Sequence, residues 1–245
     1  MPLNFFITGM PKCGKTTLIR KIVGEFKARG LKVGGIVSPE ERHHGVRRGF
    51  FVMDVATGRI GTLAEADGDG PKVSKYHVDV KSFEDIAIPA LRGFESCDVV
   101  VIDEIGWMEL KSGKFADMID EVLESGTPLI ASLHTGLVGK YGAYGQVMEL
   151  TDSNHEQVYD DLHEKVMAIT KKKSTPPMPP APVKKATPAP AKKAEIKPAG
   201  KKKPAARKAA PVKKAPAKKI SPKKKPSKGK KTLINHIRVL FGKRK

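Results

Sequence analysis

The run Gly9-Met10-Pro11-Lys12-Cys13-Gly14-Lys15-Thr16 has the spacing GxxxxGK[ST] of a phosphate-binding loop. It stands between an apolar run and a segment of helical periodicity, which is the context that the motif requires. The chemistry follows from the residue types. Glycines let backbone N–H groups turn inward around phosphate oxygens, and the helix start adds partial positive charge. Lys15 is placed to reach the β and γ phosphates. The Thr16 hydroxyl is a hard oxygen ligand for Mg²⁺, and Thr17 continues the loop into the helix.

A second group is Asp103-Glu104, at the end of the β-branched run Asp98-Val-Val-Val-Ile-Asp103. An aspartate there complements Thr16 in holding magnesium. A glutamate immediately after it is placed to orient or deprotonate a water aimed at the γ-phosphate. His134 closes the run Leu129–Leu133, with Ser132 two residues before it. If that strand neighbours the Asp103 strand, either side chain can sense the γ-phosphate; an ordinary strand-end histidine is the other reading. His43-His44 lacks the cysteine or carboxylate partners of a metal site and reads as solvated loop. Cys13, beside a helix N-terminus, is a candidate for a lowered thiol pKa, and its alkylation is expected to block nucleotide binding.

The elements that must position these groups follow from hydrophobic pattern. Residues 3–7 read as a buried strand, and Leu18, Ile19, Ile22, Val23 and Phe26 recur at helical spacing up to Gly30. A second strand covers 32–38, and 39–48 reads as loop. Residues 49–56 and 59–63 flank Thr57-Gly58 as a hairpin, and the Gly- and Asp-rich stretch 64–72 reads as loop. Ser82 is the expected cap of a helix carrying Phe83, Ile86 and Leu91. Strands at 98–103, 129–133 and 146–150, helices at 115–123 and 153–169, and a loop at 134–145 complete the pattern. Strands alternating with helices imply an α/β domain around a mainly parallel sheet, with the hairpin as an antiparallel addition at its edge.

The formal charge of +20 is unevenly spread. Residues 171–245 hold 27 Lys and Arg against the single acid Glu195, whereas residues 1–170 carry −6. The first part, at 170 residues, is long enough to bury roughly 70% of its unfolded surface. With only Cys13 and Cys97, it needs no disulfides, which suits a reducing, cytoplasmic setting. No run approaches the ~20 apolar residues of a membrane span. Residues 171–231 are rich in Pro, Ala and Lys and are expected to be disordered. Within 232–245, Leu233, Ile237, Leu240 and Phe241 share one helical face in a basic context. Such a tail is suited to DNA or RNA phosphates without sequence preference. An anionic membrane surface or a solubilising role are the rival readings.

Several runs taken together resemble one family: GMPKCGKTT at 9–17, RRGFFVMDVATGRIGTL at 47–63, FEDIAIPAL at 83–91, VVIDEIGWMEL at 100–110 and ELTDSN at 149–154. They are similar to the thermophilic-type nucleoside-triphosphatases, a family that includes the human cancer-related nucleoside-triphosphatase. The resemblance covers nearly all of 1–169 and none of the tail. It implies a RecA-like fold and magnesium-dependent hydrolysis of ATP, GTP and other triphosphates. Gly14, Lys15, Thr16 and Thr17 match its phosphate loop, and Asp103 and Glu104 its magnesium and catalytic acids. Trp107 stands where the family usually has Lys, and His155 where it often has Arg; Lys12 replaces a usual glycine and is a candidate substitute charge. Arg47 and Arg48 either line the site or are exposed edge cations. A nucleotide or small-molecule kinase, with Arg42, Arg47 and Arg48 as its lid, and a slow nucleotide switch bound to nucleic acid are the alternatives. No motif selecting guanine or adenine is present.

Overall fold

The computed structural model describes residues 3–44 and 46–173, with side chains through 170. The basic tail beyond Lys173 and the expected terminal helix at 232–245 lie outside the described residues. Ten strands form one sheet: β1 (Asn4–Thr8), β2 (Val33–Val37), β3 (Glu40–His43), β4 (Val46–Asp54), β5 (Ile60–Glu65), β6 (Lys72–Val73), β7 (Tyr76–Val78), β8 (Val99–Ile105), β9 (Leu129–Leu133) and β10 (Gln146–Glu149). The helices are α1 (Lys15–Ala28), α2 (Val80–Arg92), α3 (Gly113–Glu124), the single turn α4 (Val138–Tyr141) and α5 (His155–Lys173).

The sheet order is β10-β1-β9-β8-β2-β4-β5-β7-β6, with β3 on β4. Strands β10, β1, β9, β8 and β2 pair in parallel. The others join by antiparallel ladders. The short continuous apolar runs of the parallel half are what a sheet covered on both faces requires. Period-two alternation divides them between two cores. Phe6, Val100 and Ile102 face α2 and α3, where Phe83 and Phe115 meet edge to face at 5.0 Å. Phe5, Ile7, Val99 and Val101 face the apolar stripes of α1 and α5, including Ile19, Phe26, Leu162 and Val166.

The antiparallel half departs from the sequence pattern. Residues 39–48 are not a loop: β3 and the start of β4 form a hairpin there. The 49–63 hairpin joins the edge of the parallel half at β2, as expected, but it is the middle of a five-stranded antiparallel extension, because β7 and β6 continue the sheet beyond β5. These strands are short and rich in charged and half-buried residues, so neither alternation nor apolar runs mark them. The expected cap of α2 also moves. Asp79 caps the helix, accepting from the Ser82 amide at 2.9 Å, while the Ser82 hydroxyl accepts from the Thr62 amide at 2.9 Å and ties α2 to β5. The segment 134–145, read as loop, winds into α4 between two 3₁₀ turns, too brief to carry a period. At the other end α5 runs to Lys173, past the expected 169.

Candidate functional site

The chain leaves β1 at Thr8, turns through Gly9–Gly14 and enters α1 at Lys15. Gly14 is the N-cap with φ 91°, and a Cβ there would fall 2.4 Å from the His155 ring. Only glycine meets both conditions. The loop is held by its own lysine, whose Nζ donates to the carbonyls of Gly9 at 2.9 Å and Met10 at 3.1 Å. Lys12, where a glycine is usual, has φ 71°, a left-handed conformation that costs a side-chain-bearing residue about 1 kcal/mol.

Strand β9 lies between β1 and β8, so the end of β8 stands one strand away from the loop. Asp103 is buried there, and Ser132 of β9 donates its hydroxyl to Asp103 Oδ1 at 2.5 Å. Of the two side chains that β9 offers, the structure gives Ser132 to the aspartate. Burial raises the Asp103 carboxyl above the usual carboxylate range, opposed by hydrogen bonds from Ser132 and Thr16 and by the charge of Lys15. The other oxygen, Oδ2, is buried without a hydrogen-bond partner. A buried, unpaired carboxylate oxygen beside a threonine hydroxyl is a hard-oxygen donor pair of the kind that Mg²⁺ takes.

Glu104 is raised to about 7 by burial and then by the neighbouring Asp103 charge, with Lys15 acting against both. A third carboxylate, Glu109, escaped the sequence reading. It is buried in the 3₁₀ turn Glu109–Lys111 and raised to about 8, first by burial and then by the Glu104 charge. Gly106 is the space between the two: a Cβ there would lie 2.8 Å from both Glu104 Oε1 and Glu109 Oε2. Spacing alone places Glu109 on no common helix face with Glu104. The signal available was an acid inside an otherwise apolar Met-Glu-Leu run.

Loop and acids share one cleft of about 640 Å³. Gly9, Pro11, Lys12, Gly14, Lys15, Thr16, Thr17, Asp103, Glu104 and His134 line it, whereas Met10 is 72% exposed and Cys13 is packed beneath the loop. His134 Nδ1 accepts from the Gly136 amide at 3.1 Å, which leaves Nε2 to carry the proton of the neutral ring. Trp107 lines the cleft too, with its ring centroid 6.0 Å from that of His134. His155 packs behind Gly14 instead of lining the cleft. Arg47 reaches the cleft and Arg48 does not, as neighbours on one strand face opposite ways. Among the described residues no group of three or more His, Cys, Asp or Glu side chains is arranged to hold a metal by itself, His43 and His44 included.

A RecA-like P-loop NTPase is the class that this sheet order, loop and acidic strand end define. A family model described as NTPase matches residues 4–163. The chain is 42% identical over 161 residues to the nucleoside-triphosphatase THEP1 of Pyrococcus abyssi, covering 65% of this chain and 90% of that one. It is 40% identical over 168 residues to the THEP1 of Methanocaldococcus jannaschii, covering 68% and 98%. The solution structure of a human cancer-related nucleoside triphosphatase superposes with a TM-score of 0.58 at 31% identity, over 67% of this chain and 97% of that one. The crystal structure of THEP1 from the hyperthermophile Aquifex aeolicus gives 0.59 at 29% identity, over 66% and 98%. The chain belongs to this family of nucleoside-triphosphatases.

Proposed function

We propose that residues 1–170 hydrolyse nucleoside 5′-triphosphates, ATP and GTP among others, to the diphosphate and phosphate with Mg²⁺. The observation that carries this reading is the convergence of Lys15, Thr16, Asp103 and Glu104 on one cleft at the start of α1. Thr16 and Asp103 Oδ2 would hold the metal, which when bound neutralises charge on the β and γ phosphate oxygens. The loop amides and Lys15 bind the phosphates and stabilise charge on the transferring group. Lys15 exchanges its carbonyl partners at Gly9 and Met10 for phosphate oxygens at little cost, since both sets are acceptors within its reach. Glu104 orients the attacking water and takes its proton, a task for which a carboxyl titrating near neutrality is suited. His134 offers Nε2–H as a donor to the terminal phosphate. The names of the relatives support the reaction class; the metal and these residue roles rest on the geometry.

The test is phosphate release from ATP, GTP, CTP and UTP with Mg²⁺. Release from several nucleotides, lost in Lys15→Ala and Glu104→Gln, is the expected result. Release that survives both substitutions would remove the site from consideration. We further infer that residues 171–245 tether the enzyme to nucleic acid, on the strength of 27 cations facing one acid. Deleting them should abolish DNA retention at low salt while hydrolysis continues, and equal retention by the truncated protein would dispose of the tether.

A further inference from the structure

The cleft is lopsided. From the phosphate loop it runs past Asp103 and Glu104 and on across β2 to the antiparallel half, where Glu40, Arg42, Arg47, Phe50 and Val73 line it. None of the residues lining it comes from β10 or from the turn into α5, on the opposite side of the loop. The direction of a bound nucleotide follows from the site. Asp103 and Glu104 act at the terminal phosphate, and they stand on the β8 side of the loop. The compartment beyond them therefore lies past the γ-phosphate, away from the nucleoside end.

Its walls are built for a ligand of their own. Glu40 accepts from Arg42 at 2.8 Å through one oxygen and from Arg47 at 2.6 Å through the other, so one carboxylate orients two guanidiniums. Arg47 is held a second time by the Tyr76 hydroxyl at 3.0 Å and lies 5.2 Å from the Phe50 ring centroid. Oriented guanidiniums match phosphate and carboxylate geometry. Half-buried Phe50 and Val73 beside them supply a flat apolar surface. Few polar groups converging on an apolar wall is the make-up of a small-molecule site.

We propose that this compartment binds a second small molecule, an anion carrying a flat ring, of which a nucleoside monophosphate is the simplest example, beside the terminal phosphate of the bound triphosphate. The proposal rests on the orientation given by the hydrolytic reading above. It goes beyond that reading because water needs neither guanidiniums nor an aromatic wall.

The experiment is a calorimetric titration of AMP, GMP, CMP and UMP into the full chain saturated with Mg²⁺ and a β,γ-imido triphosphate analogue. At least one monophosphate should bind the loaded protein with a Kd below about 1 mM. Arg47→Ala should weaken that binding by about tenfold, the loss of one charge-assisted contact, and Arg47→Lys should restore only part of it. Two results would overturn the proposal: no monophosphate binding to the loaded protein, or displacement of the analogue by the monophosphate. Displacement would assign the compartment to the nucleobase of the triphosphate itself. Phosphate release measured without any monophosphate separates the two readings, because its persistence leaves hydrolysis standing when the second site fails.

Discussion

The two halves of the sheet are held by different means. In the parallel half, helices cover both faces, most strands are buried end to end, and the acids of the site are buried with them. In the antiparallel half α2 packs against β4 and β5, and the β3–β4 hairpin is tied by exposed or half-exposed ion pairs around Glu40. Burial makes the first half rigid and costs its carboxylates their ordinary pKa values. The second half pairs its charges: against the effect of burial, Arg47 and Arg42 hold the Glu40 carboxyl below its ordinary range. The cleft thus sets buried acids on one side against a wall of paired charges on the other.

The comparison breaks most sharply at Glu104. Glu104→Gln is expected to lower hydrolysis by ~10²–10⁴-fold while triphosphate binding, followed by fluorescence of a labelled nucleotide, persists. A loss confined to binding would place the chemistry elsewhere.

Glu109 tests the cost of burying acids in the rigid half. Its carboxyl titrates near 4.5 when unfolded and is pushed up to about 8 when folded. The folded form thus holds a proton that the unfolded form has released. In metal-free protein its contribution to stability is complete below about pH 4.5 and is lost as pH rises through about 8, with a slope of up to ~1.4 kcal/mol per pH unit. Urea unfolding from pH 5 to 9 should show this decline, and Glu109→Gln should reduce its slope, leaving the part that Glu104 contributes. An unchanged slope in the variant would mean that another group carries the titration.

Asp79→Ala tests how the antiparallel half is fastened. It removes the cap of α2 and is expected to cost about 1 kcal/mol in chemical denaturation, with little effect on nucleotide affinity. Lys12→Gly should act in the opposite direction, stabilising the chain by up to ~1 kcal/mol by relieving a left-handed lysine. If hydrolysis falls in that variant while stability rises, Lys12 supplies the charge that Trp107, in place of a lysine, does not.

The same division explains what could be read from the amino acids. Continuous Val and Ile at 99–102 and the spacing of Gly9, Gly14 and Lys15 report directly on buried strands and a tight anion loop, so the parallel half and the core of the site were legible. Glu40–His43 is a strand because β4 pairs with it, not because Glu-Glu-Arg-His favours extension, so only tertiary pairing reveals it. Ser82 has the chemistry of a cap but lies three residues inside a helix that Asp79 opens, and its hydroxyl serves β5 instead. Glu109 was invisible for a related reason: its meeting with Glu104 depends on the turn at Gly106.

The helix that begins at His155 against Gly14 has a further consequence. Its 19 residues rise about 28 Å along one axis. The end of α5 at Lys173 is therefore separated from the nucleotide loop by a rod of set length. Inserting one turn of helix in α5 would carry its last residue, Lys173, about 5.4 Å further from Gly14 without altering a residue of the catalytic site.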